Sequence, residues 1–269
     1  MGMNSAIQWT DATWNVAVGC TKVSPGCKYC YMMRDFEGRY GRSDVNGTVT
    51  RTKPGTFNAP LKWQKQGLRC VDGSPLKVFT SSLTDVFHPD IDEYRHEIWE
   101  IIRQCPDLIF QILTKRPERI IEHLPQDWGH GYENVWLGVS VESQAQMLRL
   151  EELLMINCAV RFASFEPLID CIQLSEWYAP IKALRWAIIG GESGNDTGKY
   201  RYRPCKIEWL EELADELEWY GVPVFVKQFG THLAKQLGMK SRHGGDISEF
   251  PEHLRLRQFP RPAGKTEKQ

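Results

Sequence analysis

The sequence predicts an α/β protein built as a full or partial parallel β/α barrel. Seven short apolar runs recur along the chain, and each ends in small or polar residues. They cover residues 14–19, 77–80, 108–113, 135–139, 160–163, 187–189 and 222–226. Runs of this length that are rich in Val, Ile and Phe are typical of buried parallel strands. A doubly wound open sheet is the alternative architecture.

Helical patterns lie between several of these runs and complete the βα units. Apolar side chains form one stripe at helical spacing in residues 92–104, 143–156 and 207–220. Strand–helix alternation implies parallel pairing with right-handed crossovers. We expect a barrel domain over residues 1–230, with a basic insertion or lid at about 34–72. Residues 231–269 are expected to form a loosely packed polar extension.

Composition places the chain among ordinary globular proteins. Of its 269 residues, 42% are apolar and 25% are charged, which excludes a disordered chain and a fibre. No run of 18 apolar residues is present, and the first ten residues carry no secretory signal core. We therefore expect a cytoplasmic protein without a membrane partner.

A near-neutral total charge conceals a basic region. The formal net charge is −1, yet residues 20–69 contain ten Lys and Arg against three Asp and Glu, a local charge of +7. Cations and aromatic rings also alternate from Lys199 to Arg203. Such patterns suit phosphate contact and base stacking, so we expect a nucleic acid or nucleotide substrate. Merely solvated loops are the alternative interpretation.

Three cysteines are clustered where the first predicted strand ends. Cys20, Cys27 and Cys30 have the spacing C-x6-C-x2-C. A 4Fe–4S cluster bound by three thiolates keeps one iron open to a further ligand, whereas structural zinc usually takes four protein ligands. The spacing is compatible with an iron–sulfur cluster, with zinc completed by a remote His, and with unliganded thiols. The position at a strand end favours the cluster.

Further candidate residues follow the other predicted strands. Because the carboxyl ends of barrel strands meet on one face, these side chains should form one site. They are Cys20, Thr84, Lys115, Ser140, Glu142, Glu166, Glu192 and Lys227. We assign Glu166 and Glu192 as candidate catalytic residues. The nucleophile and adjacent base that a barrel hydrolase would need are not recognisable in the sequence.

The segment from Cys27 to Cys30 resembles half of the cysteine motif of radical S-adenosylmethionine enzymes. It reads Cys27-Lys28-Tyr29-Cys30, although the first gap has six residues where that superfamily usually has three. The resemblance implies that the three cysteines hold a 4Fe–4S cluster and that S-adenosylmethionine binds its open iron. It also implies that Tyr29 lies close to the adenine.

The chain more closely resembles an uncharacterised family of phage and bacterial proteins with a three-cysteine motif. This resemblance covers residues 7–230. It is carried by residues 7–10, 13–15, 18–20, 113–117, 136–142, 190–194 and 224–230. These segments are specific for the family and carry no information about its reaction.

A more distant similarity to spore photoproduct lyases suggests roles for some strand-end residues. Lys115 resembles the lysine that holds the cofactor carboxylate in those enzymes, and Ser140 resembles a hydroxyl contact. Ser81, Thr84 and Glu142 are further candidate cofactor contacts. The segment Gly190-Gly191-Glu192 resembles the motif that binds the methionine ammonium in radical enzymes of this type.

These resemblances imply a radical S-adenosylmethionine enzyme. It would cleave S-adenosylmethionine reductively to a 5′-deoxyadenosyl radical that acts on an unknown substrate, and an electron donor protein would reduce its cluster. Cys205 is a candidate hydrogen donor to the substrate radical. The alternative is a non-enzymatic zinc-binding module that recognises nucleic acid.

Overall fold

The computed structural model describes residues 5–260, which form an α/β half-barrel. The strands are β1 (Ala12–Thr13), β2 (Ala17–Val18), β3 (Thr50–Arg51), β4 (Lys77–Thr80), β5 (Ile109–Thr114), β6 (Val135–Ser140), β7 (Val160–Leu168), β8 (Trp186–Gly191) and β9 (Val224–Gln228). Seven of them make one curled parallel sheet in the order β1-β4-β5-β6-β7-β8-β9. The predicted α/β class and partial parallel barrel are confirmed.

Most helices cover the convex face of the sheet, and the first one lies across the carboxyl ends of the strands. The helices are α1 (Tyr31–Tyr40), α2 (Pro54–Phe57), α3 (Ala59–Lys65), α4 (Arg95–Arg103), α5 (Leu148–Leu154), α6 (Tyr178–Lys182), α7 (Ile207–Trp219) and α8 (Gly230–Gln236). The apolar stripes predicted from the sequence form the buried faces of these helices. In α7, for example, Leu210, Leu213 and Leu217 are buried. These side chains join the outward-facing strand residues in the main hydrophobic core.

The first strand differs from its prediction. The sheet strand is β1, two residues earlier, while β2 pairs antiparallel with β3 in a separate two-stranded sheet. The chain leaves the main sheet after Thr13 because a side chain replaces backbone pairing. Asn15 Oδ1 accepts hydrogen bonds from Ser81 Oγ at 2.8 Å, from Ser82 Oγ at 3.2 Å and from the Leu83 amide at 2.9 Å. Cys20 therefore follows β2 rather than a strand of the main sheet.

The insertion at about 34–72 packs onto the rest of the protein. Phe57 and Trp63 are buried in the main core, and Trp14 Nε1 donates to the Phe57 carbonyl at 2.8 Å. Arg51 stacks on the Phe57 ring and pairs with Glu97 of α4. The segment thus shares the core of the half-barrel.

The interior of the half-barrel is apolar at the amino ends of the strands and polar at the carboxyl ends. Alternate residues of a strand face the same side, so Phe162 and Glu166 of β7 both point inward, as do Phe225 and Lys227 of β9. The apolar layer consists of Trp9, Phe79, Trp136, Val160, Phe162, Trp186, Ile188 and Phe225. This layer fills the half-barrel at the amino ends of the strands, so the polar part of the interior lies at their carboxyl ends.

The C-terminal segment is packed against the half-barrel as far as it is described. The Val226 amide donates to the Leu256 carbonyl at 2.9 Å, and Phe225 and Arg257 form an antiparallel bridge. Phe250 is buried and stacks on Phe229. The expected loose packing is therefore wrong for residues 231–260, because apolar side chains at wide spacing meet the core. Residues 261–269 lie outside the described part.

Between residues 5 and 260, no helix is both long enough and apolar enough to span a membrane.

Candidate functional site

The three clustered cysteines lie on a single loop at the carboxyl edge of the half-barrel. Cys20 follows β2, Cys27 ends a short 3-10 turn (Pro25–Cys27), and Cys30 is the residue that caps the start of α1. Cys30 interacts electrostatically with both Cys20 and Cys27. Across residues 5–260, no three His, Cys, Asp or Glu side chains are grouped closely enough to share one metal ion.

Glu142 holds the cysteine loop at the end of β6. Ser24 Oγ donates to Glu142 Oε1 at 2.8 Å, and Gly26 packs directly on the same side chain. A Cβ at Gly26 would lie 2.4 Å from Glu142 Cγ. Lys115 and Arg149 form ion pairs with the two carboxylate oxygens at 2.8 and 2.9 Å. Glu142 is therefore a buried anchor between the loop and two strand ends.

Arg116 connects Cys20 to the ends of β4 and β5. Its Nη1 lies 3.7 Å from Cys20 Sγ and 3.1 Å from Asp85 Oδ2, and its Nη2 donates to the Thr21 carbonyl at 2.9 Å. Asp85 also accepts hydrogen bonds from Thr114 Oγ1 at 2.7 Å and from the Lys115 amide at 3.0 Å. The buried Asp85–Arg116 pair thus sets the position of the first cysteine.

Arg203 makes a third connection to the loop, from the segment after β8. Its amide and Nε each donate to Glu192 Oε2 at 2.8 Å, and Nη2 pairs with Oε1. Its Nη1 donates to the Pro25 carbonyl at 2.8 Å, while the guanidinium lies 5.4 Å from the centre of the Tyr29 ring. Glu192 therefore acts on the cysteine loop through Arg203.

Tyr31 crosses the mouth of the half-barrel directly after the last cysteine. Its Oη donates to the Ser82 carbonyl at 2.5 Å, while 42% of the residue is exposed. The hydroxyl interacts electrostatically with Cys30 and with Glu166. Glu166 in turn pairs with Lys227 at 2.6 Å. Tyr31 thus connects the end of the cysteine loop to the loop after β4.

Two of the clustered thiols, those of Cys20 and Cys30, are poor acids. Burial raises the pKa of Cys20 to about 11, and the Asp85 carboxylate adds to this effect while Arg116 opposes it. Burial likewise raises the pKa of Cys30, although hydrogen bonds from backbone N–H groups in the first turn of α1 lower it in part. Because metals bind the thiolate, a metal held by Cys20 and Cys30 would release their protons on binding.

Two predicted cofactor contacts lie on the loop after β4. Ser81 donates to Asn15 and so supports the local backbone. Thr84 Oγ1 is buried, and it has no hydrogen-bond partner among the described residues. The predicted contact Lys115 is paired with Glu142, which makes its ammonium part of the loop anchor.

Two further predicted residues have different surroundings. Ser140 is buried at the end of β6 opposite Ser164, and its carbonyl accepts from Arg149 at 2.7 Å. Cys205 lies in the main hydrophobic core, where burial raises its pKa to about 12. Its thiol donates to the Lys206 carbonyl at 3.7 Å. The role of Cys205 as a hydrogen donor stays a prediction.

The sequence alone assigned no role to Asp85, Arg116, Arg149 or Tyr31, and it assigned Arg203 to phosphate contact rather than to the cysteine loop. Asp85 and Arg116 lie beside residues that it did select at strand ends, so the same rule extended by one position would have found them. Arg149 lies on α5 and Arg203 in an irregular segment. Tyr31, Arg149 and Arg203 are placed by long-range packing, which no local pattern reports.

Fold and site together define an α/β half-barrel protein with a three-cysteine loop at the carboxyl ends of its strands. A family model described as "Protein of unknown function (DUF5131)" matches residues 4–257. The chain belongs to this family. No curated protein and no solved structure matches the chain.

Proposed function

We propose that this protein is a radical S-adenosylmethionine enzyme. The observation that carries the proposal is the position of the cysteine loop. The loop lies at the carboxyl edge of a parallel half-barrel, and Glu142 and Arg203 attach it there. A loop that only stabilised the fold would not need two buried ion-pair networks at the end where barrel enzymes carry their chemistry.

The donor set fits an iron–sulfur cluster. Three thiols are soft ligands, and Cys20, Cys27 and Cys30 would each bind a different iron. Thiolates on different irons stand farther apart than ligands that share one ion, so the loop need not gather three sulfurs around a single point. Three protein ligands also leave one coordination position open for a cofactor.

When bound, the reduced cluster supplies the electron that cleaves S-adenosylmethionine to methionine and a 5′-deoxyadenosyl radical. The chain's own residues bind, orient and exclude water. Tyr29 offers a ring for the adenine, and the buried Thr84 Oγ1 offers an unused hydrogen-bonding group. Glu166 offers a carboxylate for the ammonium of the amino acid moiety. The aromatic layer closes the base of the site to water.

The alternative, a zinc site with a remote His, would need an available imidazole. His88 lies beside the loop, where its Nε2 is 3.0 Å from Thr21 Oγ1. Its Nδ1 accepts from the Asp90 amide at 3.2 Å. Both ring nitrogens are thus engaged within the fold, so no observation favours zinc over the cluster.

The test is anaerobic reconstitution followed by analysis of iron and sulfide. We expect about four irons and four sulfides per chain, with most bound iron lost in Cys27→Ala. Cys70→Ala is the matched control, because Cys70 lies outside the loop and donates to Asp11 instead. Equal iron in the Cys27→Ala and wild-type proteins would overturn the cluster assignment.

A second measurement tests the reaction. The reconstituted protein should form 5′-deoxyadenosine from S-adenosylmethionine with dithionite in place of the electron donor protein. Stoichiometric zinc without sulfide would instead favour the non-enzymatic alternative.

The nucleic acid or nucleotide substrate is a further part of the proposal. Several cations of the basic region are paired within the fold: Arg42 with Asp44, Arg51 with Glu97, and Arg69 with Asp107. Exposed pairs of this kind are weak and can exchange for phosphate. If the region binds a single strand, log affinity should fall with log salt at about −0.7 per contacted phosphate. An anisotropy titration of a fluorescent oligonucleotide at several salt concentrations measures this slope.

A further inference from the structure

A group of cations lies at the mouth of the half-barrel, next to the ends of β8 and β9. We call Arg34, Lys227 and Arg242, together with the neighbouring imidazole of His243, the cation cluster. Burial and the three neighbouring cations lower the pKa of His243, so its imidazole contributes a neutral hydrogen-bonding group at pH 7.5. Arg34 belongs to α1, Lys227 to β9, and the other two to the loop after α8. His243 interacts electrostatically with all three of the other members. Three segments of chain thus bring three positive groups close to His243.

The cation cluster surrounds the loop that follows the Gly-Gly-Glu segment. Arg34 Nη1 donates to the Ser193 carbonyl at 3.4 Å, and Arg242 Nη2 donates to Asn195 Oδ1 at 3.2 Å. His243 Nδ1 lies 2.9 Å from Thr231 Oγ1, which accepts from the Gly194 amide at 3.1 Å.

The acids nearby leave several donors of the cation cluster unused. Asp35 pairs with Arg34 through Nε at 3.1 Å, and Glu166 takes one contact from Lys227. Within residues 5–260, Arg34 Nη2 and both Nε and Nη1 of Arg242 have no hydrogen-bond partner. Only 17% of the Arg34 side chain is exposed. Like charges held together with unused donors are stabilised by an anion.

We propose that the cation cluster binds the phosphate monoester group of the substrate. This inference rests on the proposed function for its role in a reaction, although the binding itself can be tested without a metal cluster. A phosphate monoester carries a charge of about −1.5 to −2 at neutral pH. It therefore matches several convergent cations better than a carboxylate or a phosphodiester, which carry one charge each. Among the expected substrates, this favours a nucleotide with a terminal phosphate over an internal strand.

The position of the cation cluster suits a substrate site beside the cysteine loop. Arg34 lies one helical turn after Cys30, and its amide donates to the Cys30 carbonyl at 3.0 Å. One turn corresponds to about 5.4 Å along the helix axis. On the opposite side, Lys227 contacts Glu166, which interacts with Tyr31. A phosphate bound here would hold the rest of the substrate over the mouth of the half-barrel.

The test uses the full-length protein and inorganic phosphate as the probe. Thermal unfolding is followed at pH 7.5 with increasing phosphate, at constant ionic strength maintained with chloride. A ligand that binds only the folded state raises the midpoint in a saturable way. We expect this for the wild-type protein, and we expect Arg34→Gln and Arg242→Gln each to weaken phosphate binding about tenfold or more.

The matched control is Arg39→Gln on the same helix. The Arg39 side chain is 72% exposed, and it belongs to the basic region but not to the cation cluster. Its phosphate affinity should stay within about twofold of the wild-type value. The proposal is overturned if phosphate stabilises the protein no more than chloride does, or if Arg39→Gln weakens binding as much as Arg242→Gln. Because Arg242 is exposed, its variant should fold even if Arg34→Gln does not.

Two further arms separate the competing explanations. A single-stranded oligonucleotide without a terminal phosphate should not compete with inorganic phosphate. If it does compete, and if the competition is lost in Arg242→Gln, the site binds a phosphodiester rather than a phosphate monoester. Iron content should be the same in Arg242→Gln and wild-type protein. If iron binding fails in both while phosphate binding follows the expectation, the enzyme proposal falls and the phosphate site stands.

Discussion

Glu142 is the residue on which the position of the cysteine loop most depends. Its side chain is inaccessible to solvent, yet it stays charged. Burial alone would raise its pKa, but the Lys115 and Arg149 charges outweigh that effect and hold the pKa below the usual range. The carboxylate also accepts from Ser24 of the loop. The Glu142 carboxylate is thus a buried charge that also holds the loop carrying the proposed metal ligands in position.

Replacing Glu142 by Gln should destabilise the fold by about 3 kcal/mol at pH 7, because two buried cations lose their partner. The folded-state pKa of Glu142 is depressed, so its contribution is complete above the unfolded value of about 4.3 and is lost as pH falls through the folded value. The difference between wild-type and variant proteins should therefore shrink toward pH 3. Urea unfolding at several pH values measures it.

Glu151→Gln provides the comparison, since Glu151 is exposed on α5. It should change the free energy of unfolding by less than about 0.5 kcal/mol. A Glu142→Gln penalty that is equally large at pH 3 and pH 7 would contradict the assigned charge.

At the scale of elements, the cysteine loop and α1 act as one unit that lies across the ends of the strands. The loop contacts β6 through Gly26 and Glu142, and α1 contacts the loop after β4 through Tyr31. Gly191 of β8 shows the same close packing, because a Cβ there would lie 2.1 Å from the Phe229 carbonyl oxygen. This glycine thus has a packing role apart from any ligand.

Gly26→Ala should displace the cysteine loop. The added Cβ meets a Glu142 side chain that two ion pairs hold in place, so the loop must move. We expect a loss of about 1–3 kcal/mol in stability and a lower iron content after reconstitution. Urea unfolding and iron analysis report the two effects separately.

Gly38→Ala on α1 is the matched substitution. A Cβ at Gly38 meets nothing within 4 Å, and alanine favours a helix interior by about 0.5–1 kcal/mol. This variant should be more stable than the wild-type protein with unchanged iron. If both glycine variants keep full iron content, the contact between Gly26 and Glu142 does not position the loop.

At the scale of the whole molecule, the C-terminal segment completes the half-barrel. It pairs with β9, and the centre of the Phe259 ring lies 5.4 Å from the ring centres of both Trp186 and Phe225. Lys77 of β4 lies over the same Phe259 ring, at the opposite side of the sheet. Side chains from strands near the two ends of the sheet therefore meet at Phe259 of the C-terminal segment. We expect this segment to contribute to the stability of the half-barrel.

Phe250→Ala tests whether this segment unfolds together with the barrel. Phe250 is buried and stacked on Phe229, so its loss should cost about 3–5 kcal/mol. The unfolding transition should stay single, with a lower midpoint in urea. Phe259→Ala, at a residue that is 37% exposed, should cost less. A Phe250→Ala midpoint equal to that of the wild-type protein would show that the segment contributes little to the barrel.

The sequence by itself determined most of the sheet and the helices on its convex face. Six of the seven predicted strands overlap β4 to β9, since buried parallel strands are short, apolar and β-branched. The helical stripe of α7 likewise appeared where its apolar period predicted it. The grouping of Cys20, Cys27 and Cys30 followed from their nearness along the chain.

Only the tertiary structure decided how the site is assembled. Asn15 ended the first strand by bonding to the loop after β4, and Lys115, Arg149 and Ser24 met at Glu142 from three separate segments. An apolar period reports which face of an element is buried, but not which distant side chain will neutralise a buried charge. That choice depends on strand order and register, which are fixed only when the whole sheet has formed.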